Sequence, residues 1–140
     1  PVSKLNVKGD VGLNDGATVA TNDAVTILLV NRTGAASVVG DIVIADPAND
    51  NSFVTTTAAG NTAVIGVVYE SGIADGQPCR VAVAGVVNVT ANGTILRGQH
   101  CITSTTAGAA GAVGVPGAGT SIGVWLTAPA SGSLGKVLLK

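Results

Sequence analysis

Short runs of Val, Ile and Thr recur along this chain of 140 residues, and Gly, Asn, Asp or Pro separates one run from the next. Side chains branched at Cβ are stiff and pack well on a pleated surface, so such runs favour strands. No window of eleven or more residues shows an apolar stripe with the 3.6-residue period of a helix. Closely spaced short strands are typical of small barrels and sandwiches. The sequence therefore predicts an all-β fold.

The individual runs predict eight strands and one weaker candidate, at residues 53–57. Gly85 separates two of these runs and is predicted to be a bulge or a sharp bend, because Gly tolerates the backbone angles required there. The eight strands are expected at residues 25–31, 41–45, 63–69, 79–84, 86–90, 100–104, 122–126 and 136–139.

Turn residues precede several of these strands. A Gly followed by a polar residue stands before three of them, at Gly40-Asp41, Gly76-Gln77 and Gly98-Gln99. This pattern is predicted to be turn chemistry at the start of a strand. Asn92-Gly93 is the best local signal for a turn.

Three regions do not have the pattern of a strand. Pro1–Asp23 is polar and only weakly alternating, and it is predicted to be an extended N-terminal arm before a single domain at residues 24–140. Ala107–Gly119 is a low-complexity run of Ala and Gly, read as a flexible surface loop or, alternatively, as backbone in close contact with a neighbouring subunit. Asp46–Asn51 is read as a cluster of turn residues.

The composition limits the kinds of partner. Charged residues make up 11% of the chain and the net charge is −1, against a charged fraction of about 25% in an average domain. The seven basic residues are dispersed, so neither nucleic acid nor an anionic membrane surface is expected as a partner. The longest apolar run, Ala24–Val30, is too short to span a bilayer. A surface with so little charge predicts burial against other protein.

The residues that could carry chemistry are few. His100 is the single histidine and adjoins Cys101. Neighbours on a strand point to opposite faces, which is poor geometry for a Cys-His dyad or a metal site, so neither is expected. Cys79 and Cys101 are expected to be buried free thiols, with a disulfide as the alternative. No enzymatic activity, metal, cofactor or small-molecule substrate is expected. A hydrolase or carbohydrate-binding module would require convergent acids, such as Asp41, Glu70 and Asp75 in one pocket.

Trp125 lies in the apolar run at residues 122–126. It is interpreted as a core residue or as a candidate for a subunit interface, because a large aromatic side chain buries much apolar surface in either setting.

From Val38 onward the order of these runs resembles the head-decoration, or capsid cement, proteins of tailed bacteriophages. The most specific segment is the linked pattern G-V-x-x-E-x-x-I-A-D-G-Q-P-x-x-V-A-V-x-G-V-V-x-V, at residues 66–89. The resemblance covers about two thirds of the chain. It is carried by VVGDIVIAD (38–46), AVIGVVYESGIADGQPCRVAVAGVVNVTA (63–91), GTILRGQHCI (93–102), IGVWLTAPASG (122–132) and KVLLK (136–140).

The resemblance implies a small β-barrel or β-tulip-like domain that assembles as a homotrimer on the outside of the expanded head. It implies the major capsid protein as partner, and a function in clamping neighbouring capsid subunits and stabilising the virion. It also implies that the N-terminal arm adds a strand to the capsid protein, with Val2, Lys4, Leu5 and Val7 as the candidate contacts. The alternative is another β-rich virion component, such as a fibre, spike or tail protein.

Overall fold

A computed structural model describes residues 24–140, which form nine strands and no helix. The predicted all-β class is confirmed, and within this range no helix is long and apolar enough to cross a membrane. The N-terminal arm predicted at residues 1–23 lies outside the described residues. The strands are β1 (Ala24–Asn31), β2 (Ile42–Ala45), β3 (Ser52–Val54), β4 (Val64–Val68), β5 (Pro78–Thr90), β6 (His100–Thr103), β7 (Ala110–Val113), β8 (Gly123–Trp125) and β9 (Leu134–Leu139).

Five strands close into a barrel in the order β1-β3-β2-β4-β5, because β5 also pairs with β1. The β1–β3 pairing is parallel and short, joining Val30 to Ser52 and Asn31 to Phe53. The other pairings of the barrel are antiparallel. A barrel of this size confirms the prediction of a small β-barrel, and it is filled by side chains rather than by a channel.

The long strand β5 joins the barrel to a second layer. Its first half pairs with β1 and β4, and its second half pairs with β9, followed by β8, β6 and β7. Gly85 lies at the change of partners with a left-handed φ of 97°. A shift in the β1–β5 register leaves Val83 without an opposite residue. The predicted bend at Gly85 is therefore confirmed, and the two strands predicted on either side of it are one continuous strand.

Two apolar clusters follow from the alternation of side chains along the barrel strands. Ile42, Val67 and Ala82 belong to one cluster, whereas their chain neighbours Val43 and Val68 belong to the other. The barrel cluster fills the interior and contains Val43, Phe53, Val68, Cys79 and Val81. The interlayer cluster lies between the barrel and the second layer and contains Ile42, Val67, Ala82, Val87, Val89, Ala91, Ile95, Cys101, Ala110, Trp125, Val137 and Leu139.

The predicted Gly-polar turns are confirmed as one recurring structure. In each, the residue after the Gly donates a backbone hydrogen bond to the carbonyl three residues earlier, at 3.1–3.2 Å for Asp41, Gln77 and Gln99. The Gly lies at the third position with a left-handed φ, as a type II turn requires. The same turn precedes β7 at Gly108 and β9 at Gly132.

The prediction of a flexible loop over Ala107–Gly119 is wrong for its first half. Residues 110–113 form β7, which pairs antiparallel with β6 from Ala110 opposite Thr103 to Val113 opposite His100. Ala110 is fully buried. Small side chains at these positions let the strand approach closely beneath the large Trp125 ring, so low complexity here reflects tight packing rather than mobility.

Candidate interaction surfaces

The structure places Trp125 in the core of the chain itself. Its side chain is 0% exposed, and its indole Nε1 donates a hydrogen bond of 3.0 Å to the carbonyl oxygen of Gly111. A side chain with no exposed surface cannot contact a sister subunit. The structure therefore favours the interpretation of Trp125 as a core residue over that of an interface residue. The four candidate contacts in the arm, Val2, Lys4, Leu5 and Val7, lie outside the described residues.

The polar groups near His100 form a small local network. The Nδ1 atom of His100 lies 2.9 Å from Oγ of Ser121, and this hydroxyl donates to the carbonyl oxygen of Gly123 at 3.2 Å. The network therefore fastens the loop before β8 to the start of β6. Across residues 24–140, no group of three or more His, Cys, Asp or Glu side chains is arranged to hold a metal ion.

The three acids singled out from the sequence have separate surroundings. Asp41 immediately precedes β2 and lies beside Gly108. Asp75 accepts a hydrogen bond of 2.8 Å from the backbone nitrogen of Gly34. Glu70 follows β4, where its carbonyl oxygen accepts from the Ser37 hydroxyl at 2.6 Å. A pocket of about 110 Å³ opens where β4 and β9 diverge from β5, and none of the three acids lines it.

Both cysteines are free and buried, as the free-thiol interpretation predicts. Burial raises the pKa of the Cys101 thiol to about 12 and also raises the pKa of Cys79. Because the thiolate is the reactive form, these residues act as small apolar side chains of the two clusters.

An apolar strip crosses the outer face of the second layer. Val86 of β5 lies opposite Leu138 of β9, which lies opposite Val124 of β8. His100 of β6 lies beside Val124 and Val113 of β7 beside His100. Residues directly opposite each other share a face, and these side chains are partly exposed. The strip carries no acid, so it is suited to contact with another protein surface.

Exposed apolar side chains also lie on both faces of β1. Val25, Ile27 and Leu28 are 61%, 42% and 56% exposed. The sequence shows these residues as an apolar run without polar alternation, and this pattern alone does not say which of them reach the surface. Together with the strip, β1 provides the apolar surface that the low charge of the chain predicted.

No family model matches the chain, and no curated protein matches it. Among solved structures, the chain is similar to the N base of the head fiber gp8.5 of bacteriophage phi29, with a TM-score of 0.54 and 13% sequence identity. The alignment covers 83% of this chain and 93% of that one. The likeness therefore extends through the barrel and the second layer, and it shows that the two chains share a fold.

Proposed function

We propose that the chain is a structural protein of a tailed-bacteriophage virion that binds the outside of the head. The observation that carries this proposal is the shared fold with the base of a phage head fiber over most of both chains. The ordered sequence motifs that resemble head-decoration proteins support it independently. The protein acts by binding alone, with no catalysis and no cofactor.

The finer proposal is a decoration protein that clamps neighbouring subunits of the major capsid protein. Three copies form a homotrimer, and each arm adds a strand to a capsid subunit through Val2, Lys4, Leu5 and Val7. Main-chain hydrogen bonds supply affinity in this kind of strand addition. Three arms on one trimer raise the effective concentration of the second and third contacts, so weak single contacts give firm attachment.

The likeness to a fiber base favours a second candidate, in which the domain anchors a fibre or spike to the head. Both candidates attach to the outside of the head. They differ in the number of sites that the head offers: a decoration protein covers the lattice, whereas a fibre base occupies restricted positions.

Binding of the full-length protein to purified expanded heads that lack it tests the proposal. Saturable binding across the lattice, with a rise in the thermal stability of the heads, is expected for a decoration protein. Binding at restricted positions without that rise identifies a fibre base. Heads that bind no protein contradict both.

The contribution of the arm is tested by the double variant Leu5→Ser and Val7→Ser, which is expected to weaken head binding at least tenfold. The matched control is Val115→Ser, because Val115 is 87% exposed in the loop after β7. This control is expected to bind as the parent protein does. Equal binding by the arm variant contradicts the proposed contacts.

A further inference from the structure

Asn92-Gly93 is the single Asn-Gly pair of the chain, and it lies at a bend shortly after the end of β5. Asn92 is partly buried, whereas Gly93 is exposed and has a left-handed φ of 84°. A Cβ atom added to Gly93 would meet nothing within 4 Å. Water therefore reaches the peptide bond between the two residues.

An Asn-Gly pair contains both partners of a known spontaneous reaction. Once the backbone nitrogen of Gly93 has lost its proton, it can attack Cγ of the Asn92 side chain. The new C–N bond closes a five-membered succinimide ring, and the side-chain nitrogen leaves as ammonia. Water then opens the ring to give Asp or isoaspartate. Glycine favours the reaction because it has no Cβ atom to hinder the attacking nitrogen.

The backbone that leads into this pair is held from two sides. The Asn92 nitrogen donates a hydrogen bond of 2.8 Å to the carbonyl oxygen of Ala110, the first residue of β7. The Ala91 nitrogen donates to the carbonyl oxygen of Ser133 at 2.9 Å, and the Ala91 carbonyl oxygen accepts from the Gly132 nitrogen at 2.8 Å. The end of β5 is thereby joined to the start of β7 and to the turn before β9.

The reacting nitrogen itself is held by the same turn. The backbone nitrogen of Gly93 donates a hydrogen bond of 2.9 Å to Oγ of Ser131. We propose that Asn92 is a latent deamidation site, and that the Ser131 hydroxyl keeps it unreactive in the folded chain by holding the Gly93 nitrogen. This hydrogen bond must break before the nitrogen can lose its proton and turn toward Cγ of Asn92.

Deamidation at Asn92 changes both the charge and the backbone of the second layer. Either product adds a negative charge, and isoaspartate also adds one carbon atom to the main chain. That added atom displaces the hydrogen bonds that Ala91 and Asn92 make to β7 and to the turn before β9. The proposal does not depend on the proposed function, because it concerns the chemical stability of the folded chain.

Mass spectrometry of the full-length protein, incubated at mildly alkaline pH, measures the reaction. Trypsin cleaves after Arg80 and Arg97 and releases residues 81–97, which contain Asn88 and Asn92. Conversion of an amide to an acid raises the mass of this peptide, and chromatography separates the isoaspartate form. Asn88 is an internal control, because the β-branched Val89 that follows it hinders the attacking nitrogen.

Ser131→Ala is expected to deamidate at Asn92 about three to ten times faster than the parent, the effect of losing one hydrogen bond. Ser133→Ala is the matched control in the same exposed turn, because Ser133 holds Ala91 through its backbone carbonyl. It is expected to react at the parent rate, and circular dichroism verifies that both variants are folded.

The parent protein unfolded in urea is expected to deamidate at Asn92 at least about ten times faster than the folded parent, since attack in the folded chain requires local opening. Equal rates in the folded and unfolded parent would show that the fold does not protect Asn92, and would overturn the proposal. Equal rates in the folded Ser131→Ala and Ser133→Ala variants would overturn the role of the Ser131 hydroxyl.

Discussion

The side-chain nitrogen of Asn31 donates a hydrogen bond of 2.8 Å to the carbonyl oxygen of Ile73, 42 residues further along the chain. The same nitrogen donates to the carbonyl oxygen of Ala35 at 2.8 Å. Its Oδ1 atom accepts from the backbone nitrogen and the hydroxyl of Thr33. Asn31 is fully buried and ends β1 where that strand meets β3, so one amide joins two loops at the closure of the barrel.

Replacing Asn31 by Asp is expected to lower the free energy of unfolding by about 3 kcal/mol. The carboxylate keeps the acceptor but removes both donors, so the carbonyl oxygens of Ala35 and Ile73 each lose one of two hydrogen bonds. It also buries a negative charge next to these two oxygens. Urea unfolding followed by circular dichroism measures the loss. Asn61→Asp is the matched control, because Asn61 uses its Oδ1 as an acceptor for the Ala63 nitrogen at 2.7 Å. A similar loss in both variants contradicts this account.

Replacing Trp125 by Phe is expected to lower the free energy of unfolding by about 2–3 kcal/mol. The change leaves the Gly111 carbonyl without the indole donor and opens space within the interlayer cluster. Because Trp125 is the single tryptophan, circular dichroism rather than fluorescence must follow the transition. The control is the neighbouring Leu126→Ala, since Leu126 is 45% exposed. Equal stability of the Phe variant and the parent protein would show that the indole hydrogen bond contributes nothing.

Sequence predicts best those strands that consist of β-branched residues or that follow a recognisable turn. Val-rich runs become β1, β4 and β5, and the three Gly-polar pairs mark the turns before β2, β5 and β6. These features are local, because a left-handed Gly and a β-branched run act through their own backbone. Gly85 is an equally local signal, but whether it ends a strand or bends one depends on the partners on either side.

The features that sequence could not supply depend on distant contacts. Strand β7 has almost no β-branched residue, and it forms because Ala and Gly fit beneath Trp125 and pair with β6. Trp125 itself looks the same in a sequence whether it faces the core or a sister subunit. The apolar strip depends on the register of five strands, with Val86 and Val113 at its two ends, and no local pattern encodes that register.

Replacing Gly66 by Ala is expected to lower the free energy of unfolding by about 1–3 kcal/mol. Gly66 lies in β4, where an added Cβ atom would collide with the carbonyl oxygen of Ala82 in β5. Backbone atoms cannot move aside as a flexible side chain can, so the β4–β5 pairing must shift. Gly114→Ala is the matched control, because a Cβ atom there meets nothing within 4 Å. Equal thermal stability of the two variants contradicts the predicted collision.

The proposed homotrimer is expected to have a mass of about 40 kDa, since one chain has a mass of 13.5 kDa. Size-exclusion chromatography with light scattering at micromolar concentration measures it. Leu138→Lys places a charge in the apolar strip at a position that is 37% exposed, so the fold is expected to tolerate it. A monomeric parent protein contradicts the trimer. A parent trimer that persists in the Leu138→Lys variant means that the strip lies outside the subunit interface.

The stability of the fold is predicted to depend on pH through the carboxyl group of Asp41. Burial raises the pKa of its carboxyl group from 3.8 to about 6, and the space beside it is filled, since a Cβ atom on Gly108 would lie 2.7 Å from the carboxyl carbon. The folded chain therefore holds this proton at pH values where the unfolded chain has released it. By linkage, the contribution of Asp41 to stability falls as pH rises from about 4 to about 6 and is constant above that window.

Replacing Asp41 by Asn is expected to remove this dependence, because the amide keeps the shape of the carboxyl group and never ionises. At pH 7 the variant is expected to be more stable than the parent by about 1 kcal/mol, since solvent reaches part of the side chain and screens its charge. Near pH 4 the two are expected to be equally stable. Urea unfolding at several pH values measures the difference, and Asp50→Asn, in an exposed turn, is the control. A constant difference between Asp41→Asn and the parent from pH 4 to pH 7 would mean that the titration of Asp41 is not coupled to folding.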